Sequence, residues 1–384
     1  MEITGCEVFL VAVPSRREHT WASKMETPIG HHAIVRLDTD EGLSGWGEAP
    51  AIATWGGAHG RHYGETPETV KHLVDAYLLP AVRGLDPAEI AVVHERMDRV
   101  VKGNPYAKAA VDVACHDLAG KALGVPVSTL LGGRLRDGIE VTHSLGIMDV
   151  DRCVAEAEQA VGEGALTIKC KTGLDPDRDV ELVRRLRDAL GDTVRIRVDG
   201  NEGYRTVQEA VETTKRQEEH GIFLCEQPVA GADALARVAE RIDVPVMADE
   251  SAWTVQDIFE LHERRAAECF SCYVTKPGGL HRARQQAEAA AALGIYHDIG
   301  GSIELGIGNA ANLQLGAALP LAMLPSVCPV TKPAGAVGPE IAGIYYTDDV
   351  VVEPFRFESG KVMVPDGPGL GVEVDVEKLA RYAV

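Results

Sequence analysis

What this chain is short of narrows its function before any motif is read. Long apolar runs are missing. The longest, 289–293 and 315–324, fall well short of the ~18 to 20 residues that cross a bilayer, so no membrane partner is expected. Positive charge is scarce, 38 Lys and Arg against 58 Asp and Glu, and a net charge of −20 would repel the phosphates of a nucleic acid. The opening stretch MEITGCEVFLVAVPSRRE lacks a secretory leader's order of basic, apolar and small residues, which points to the cytoplasm. The eight cysteines are scattered, and only Cys269 and Cys272 are suggestively spaced. A zinc site would need a second such pair and a redox motif opens a helix, whereas Cys269 begins a strand-like run, so these thiols read as packing.

What is present falls into three regimes, and 384 residues have room for a barrel-sized domain with an attachment. Residues 1–65 read as a three-stranded meander, with strands at 6–13, 33–38 and 43–49 and a turn at Asp40-Glu41-Gly42. Residues 66–125 read as helical, with Thr66-Pro67 and Asn104-Pro105 as helix starts. From 139 onward, short apolar runs at 141–147, 166–171, 196–199, 223–227, 245–249, 272–276, 295–300 and 326–330 alternate with amphipathic helices such as 150–163, 177–190 and 207–220. Eight strands with seven intervening segments, at a pitch of roughly 25 residues, call for an α/β fold with a parallel (β/α)7β TIM-like barrel. The expected division is an α+β capping domain at 1–126, the barrel at 127–334, and a C-terminal segment at 335–384 that packs back on the cap.

A barrel of this kind carries its active site at the C-terminal ends of its strands. Five consecutive runs end on polar residues: Lys169 and Lys171, then Asp199, Glu226, Asp249 and Lys276, each run one β/α unit from the next. Three carboxylates side by side would oppose one another's ionisation, and a divalent cation relieves this. An all-oxygen donor set favours Mg²⁺, or Mn²⁺, with positions left open for substrate. Lys169 and Lys171 are two apart and so share a strand face, while Cys170 faces the helical shell. Two neighbouring ammoniums and a cation would draw a lysine down toward the ~7 to 8 range of a general base. Lys276 approaches from the opposite wall, the placement needed to take a proton from one face of a carbon and return one to the other.

This pattern resembles the enolase superfamily, and within it the mandelate racemase–muconate lactonizing enzyme family, muconate cycloisomerase subgroup. The likeness extends through GLSGWGE at 42–48, the helix from Tyr106 to Asp112, Leu131-Gly132-Gly133, Gly301-Ser302-Ile303-Glu304 and Gly367-Pro368-Gly369-Leu370-Gly371. The resemblance implies that Asp199, Glu226 and Asp249 bind one Mg²⁺ per subunit. It makes Lys171 the base on one face and Lys276 the acid or base on the other, with Lys169 assisting. Asn201 and Glu250 support the ligands, and Glu304 faces the substrate. The implied reaction removes the proton alpha to a small carboxylate through an enediolate, in an isomerase (cycloisomerase or racemase/epimerase) that forms dimers or octamers. A dehydratase or an o-succinylbenzoate-synthase-like lyase would use the same site, a Schiff-base aldolase would use Lys276 without metal, and a non-catalytic binding protein is the remaining reading. Of His297 and Asp298, neighbours on a strand, at most one enters the barrel.

Two stretches would close over the mouth, from Arg17 to His32 and from Trp55 to Tyr63. Trp21, Trp55 and Tyr63 are expected to line an apolar or cation-accepting pocket, with His59 or Arg61 near a polar end of the substrate.

Overall fold

The computed structural model describes residues 1–23, 29–57, 62–338 and 343–384. β1 (Ile3–Ala12), β2 (His31–Thr39) and β3 (Ser44–Ala49) form the expected antiparallel meander. Gly42, in the turn between β2 and β3, sits at φ +78°, a left-handed conformation that glycine adopts without strain. α1 (Pro67–Leu73) starts at Thr66, whose hydroxyl accepts from the Thr69 amide while the Thr69 hydroxyl accepts in return. One π-helical turn leads into α2 (Leu79–Val82), followed by α3 (Ile90–Val100), α4 (Pro105–Leu123) and α5 (Val127–Leu130). α4 is buried continuously from Tyr106 to Gly120. It lies directly on β3 because Gly45 and Gly47 have no Cβ to collide with the Ala114 and Ala110 carbonyls.

A different period then takes over. β4 (Gly138–Glu140) and β5 (Thr142–Leu145) are followed by α6 (Val150–Gly162), β6 (Thr167–Lys171), α7 (Pro176–Leu190), β7 (Arg195–Asp199) and α8 (Val207–Glu218). Next come β8 (Leu224–Glu226), α9 (Ala232–Ala239), β9 (Val246–Ala248), α10 (Val255–Arg264), β10 (Cys269–Cys272), α11 (Leu280–Ala292), β11 (Tyr296–Ile299) and α12 (Gly306–Ala318). β5 to β11 form one curled parallel sheet in chain order, a TIM-like fold with helices outside. Ile168, Cys170 and Val198 pack outward into the main core, so Cys170 does face the shell.

Three expectations change. The first run, expected at 141–147, shortens to Thr142–Leu145, and Gly138–Glu140 just before it pairs antiparallel with a tail strand instead of joining the barrel. The sixth strand ends at Cys272, which leaves Lys276 in the loop beyond it. The eighth run is not a regular strand. Ser326 makes a single parallel bridge to Val141 and Ala322 one to His297, so the ring closes through a seam. Pro320, Pro325 and Pro329 punctuate that segment, and a residue without an N–H cannot extend a ladder.

The tail adds β12 (Phe357–Glu358), β13 (Lys361–Met363), which pairs with β4, and α13 (Val376–Arg381). Ala383 then bridges Val11 of β1. Among the described residues no helix is long and apolar enough to cross a membrane.

Candidate active site

On β6 the side chains alternate, and Lys169 and Lys171 point inward at the barrel mouth. In-register pairing sets Lys171 beside Asp199 and Asp199 beside Glu226. The Lys169 ammonium lies 2.8 Å from both Asp199 Oδ2 and Glu226 Oε1, tying two strand ends together. Lys171 donates to Asp199 Oδ2 at 2.6 Å and to Asn201 Oδ1 at 2.7 Å, and Asn201 Nδ2 donates to Glu250 Oε1 at 2.9 Å. Across the mouth, Lys276 donates to Asp249 Oδ1 at 2.7 Å and to its carbonyl at 2.9 Å, with its ammonium 4.2 Å from the centre of the Tyr273 ring. β7, β8 and β9 stand between β6, which carries Lys169 and Lys171, and β10, whose following loop carries Lys276, so Lys171 and Lys276 face each other across the ring. Asn201, Glu202 and Gln227, just past β7 and β8, hold left-handed backbone (φ 41°, 60° and 35°) without being glycine, which marks local strain at this rim.

Electrostatics separates these groups. Burial alone would raise the Asp199 carboxyl, but Lys169 and Lys171 outweigh it and hold it well below the ordinary range. Burial, reinforced by Asp199, pushes Glu226 up to about 7. Burial and then Asp249 lift Glu250 well above its usual value. Burial opposes the charge on Lys169, yet Asp199 and Glu226 more than offset it and raise its pKa.

Among the described residues no three His, Cys, Asp or Glu side chains already converge as a coordination shell, because Asp199, Glu226 and Asp249 each turn an oxygen to a lysine. The donor chemistry still fits a hard divalent cation. All three are oxygen donors at successive strand ends, and Glu226 Oε2 is buried without a hydrogen bond.

A cavity above this cluster is lined by Trp21, Ile52, Trp55, Ser144, Lys169, Lys171, Asn201, Asp249, Tyr273, the 301–303 loop, Val327 and Tyr345. Trp21 and Trp55 are where the sequence places them, and Trp55 Nε1 donates to Glu250 at 3.4 Å. Tyr63 is not: it is 65% exposed and absent from the cavity lining. His59 and Arg61 lie outside the described residues. Glu304 is buried beneath the 301–303 loop rather than on the lining, and burial pushes its carboxyl up to about 8. Asp298 does enter the barrel, but below the cavity, where it accepts from Arg197 Nη1 and Ser271 Oγ, each at 2.9 Å. His297 donates from Nδ1 to the Asp298 carbonyl and packs against Phe270.

Sequence reasoning missed Ser144, Tyr273, Tyr345 and the buried Arg197. Reading the strand-end rule onto β5 would have found Ser144; Tyr345 comes from the tail and carries no local signal.

The pattern described as mandelate racemase / muconate lactonizing enzyme, N-terminal domain, matches residues 6–132, and the enolase C-terminal domain-like pattern matches residues 152–379. Muconate cycloisomerase 1 of Rhodococcus opacus is 34% identical over 100% of this chain and 98% of its own length. The structure of N-succinyl Arg/Lys racemase from Bacillus cereus aligns with a TM-score of 0.89 at 28% identity, covering 100% and 98% of the two chains. Muconate lactonizing enzyme from Pseudomonas putida aligns at 0.87 and 31%, covering 100% and 99%. With that cap, that barrel and these matches along its whole length, the chain belongs to the mandelate racemase / muconate lactonizing enzyme family and is an isomerase-type enzyme.

Proposed function

We propose that this protein isomerises a small carboxylic acid by moving the proton alpha to its carboxylate, as a racemase, epimerase or cycloisomerase dependent on Mg²⁺ or Mn²⁺. The observation that carries this reading is the opposition of Lys171 and Lys276 across one carboxylate cluster. Asp199, Glu226 and Asp249 would hold the cation, which when bound supplies positive charge against the carboxylate as electron density builds on its oxygens.

The chain's own residues do the rest. Lys169 hydrogen-bonds the substrate carboxylate, and Lys171 Nζ takes the alpha proton from one face. Lys276 Nζ returns a proton to the other face, or stabilises charge there. Asn201 fixes the Lys171 head group and is itself fixed by Glu250. Trp21, Trp55 and Tyr345 keep water from the reacting carbon. The Schiff-base alternative is disfavoured because Lys276 is engaged by both the carboxylate and the carbonyl of Asp249.

Eight free thiols fit a reducing cytoplasm, and family resemblance supports a homo-oligomer, a dimer or octamer measurable by light scattering. The deciding experiment is wash-out of the alpha hydrogen into deuterated water across carboxylic acids, N-acylated amino acids and betaines, with and without Mg²⁺. Exchange lost on chelation and a product that differs from the substrate in mass only by the deuterium taken up support the isomerase. Loss of water or another leaving group makes it a lyase, and borohydride trapping at Lys276 overturns the scheme.

A further inference from the structure

We infer that the Tyr273 hydroxyl is the group that gives a proton to the substrate on the face opposite Lys171, with Lys276 held behind its ring. The inference rests on the reaction proposed above and names the substrate-facing group on its far side, where Lys276 keeps the second of its two roles, stabilising charge.

Strand alternation puts Tyr273 at the mouth. Ser271 on β10 points into the barrel, where it donates to Asp298, so the next inward position is residue 273, just past the strand end. Tyr273 accordingly lines the cavity together with Lys169 and Lys171, which stand across the ring on β6. Lys276 does not line it. Its side chain is 0% exposed, two of its three N–H groups are occupied by Oδ1 and the carbonyl of Asp249, and the centre of the Tyr273 ring lies 4.2 Å from its nitrogen. On this wall a ligand in the cavity meets the phenol, and the ammonium stands behind it.

The ring is fixed while its hydroxyl is weakly engaged. Trp55 packs on it at 5.3 Å between ring centres. A Cβ at Gly300, just past β11, would collide with Tyr273 Cε2, so glycine there keeps the ring's place open. Tyr273 Oη donates to the Gly301 carbonyl at 3.4 Å, against about 2.7 to 2.8 Å for an ordinary O–H···O bond, and Gly301 lines the same cavity. So long a bond is readily exchanged for one to a substrate atom.

A phenol is protonated at neutral pH and has a single hydrogen to give. Lys171 takes the alpha proton from one face, and the C–H electron pair passes into the enediolate. On the other face that pair forms a new C–H bond with the Tyr273 proton as the O–H bond breaks. The phenolate left behind faces the Lys276 ammonium, and a cation against the ring stabilises it until water returns a proton.

The test separates the two faces. Each acid that exchanges its alpha hydrogen in deuterated water with Mg²⁺ is followed from a single enantiomer, by proton NMR for exchange and by polarimetry for inversion. Exchange on the Lys171 face needs no donor opposite it, whereas inversion does. Tyr273→Phe should therefore lower inversion roughly a hundredfold or more relative to exchange, while Lys276→Met should lower the two together. A Tyr273→Phe variant that keeps the wild-type ratio, or a wild type that exchanges without inverting, overturns the inference. A crystal structure with Mg²⁺ and malonate reads the same point without turnover. Tyr273 Oη should lie nearer than Lys276 Nζ to the malonate methylene carbon, on the face away from Lys171, and the reverse order or an empty cavity overturns it. A wild type that exchanges no acid counts against the reaction, and the malonate structure then decides the inference by itself.

Discussion

Two sets of buried carboxylates do opposite work in this protein. At the junction of cap and barrel, Glu48 accepts from the amides of Leu305 and Gly308, both at 2.7 Å, with His32 Nδ1 3.0 Å away. Asp112 accepts from the Leu280 amide at 2.6 Å and from His94 Nε2 at 2.7 Å. Each is a cap-domain side chain seated at the N-terminus of a barrel helix, where fixed backbone N–H groups favour negative charge. Burial opposes the charge on Asp112, yet His116 and His94 hold its carboxyl low. At the mouth, Glu226 and Glu250 receive only side chains, and among the described residues each keeps one oxygen without a hydrogen bond. A carboxylate satisfied by backbone is committed to the fold, whereas one satisfied by lysines can exchange its partners for a cation and a substrate.

The largest effect that tests this contrast belongs to the lysines. Lys171→Ala and Lys276→Ala should each lower alpha-hydrogen exchange roughly a thousandfold, with the circular dichroism spectrum of the folded protein retained. An active double variant would end the mechanism.

Next come the carboxylates themselves. Glu48→Ala strands two buried amides and should cost about 3 to 5 kcal/mol in urea unfolding. Glu226→Gln should instead stabilise the cation-free protein at pH 8. The sign follows from linkage: with a folded value of about 7 against about 4.3 unfolded, the native state holds this proton more tightly. The stability this confers is full below about pH 4 and is lost as pH rises through 7. The variant escapes that loss, so its advantage, on the order of a few kcal/mol, should vanish toward pH 4. If Glu226→Gln is as destabilising as Glu48→Ala at pH 8, the two regions do not differ.

A smaller effect concerns cation binding. Glu226 must ionise to serve as a ligand, so Mg²⁺ should bind more weakly at pH 6 than at pH 8 and should release about one proton at pH 6. Calorimetry in buffers of different ionisation heat measures this. The smallest effects lie on the rim. Trp55→Ala should change which carboxylic acids are accepted, whereas Tyr63→Ala should leave KM within about twofold.

Period and strand-end chemistry made the barrel and its polar mouth legible, because alternation on β6 and one carboxylate per unit are local properties of the sequence. Lys276 was found although its strand ends four residues earlier, since the loop still aims it at Asp249. What escaped was set by distant chain. Tyr345 reaches the cavity from the tail, and the eighth apolar run could not become a strand because its prolines lack the N–H groups to pair. Tyr63 was misplaced because an aromatic in a glycine-rich loop reads the same whether it turns in or out.

The proline-punctuated seam also bears on how the ring is assembled. Six of the barrel's pairings join strands one β/α unit apart, whereas the last must bring Val141 and Ser326 together from opposite ends of the barrel sequence. It carries the largest loop-closure entropy and returns only isolated bridges. The ring thus has a built-in weakest joint, and the amide of Thr142, which donates across it to the Ser326 carbonyl, should exchange with solvent ahead of those between β6 and β7.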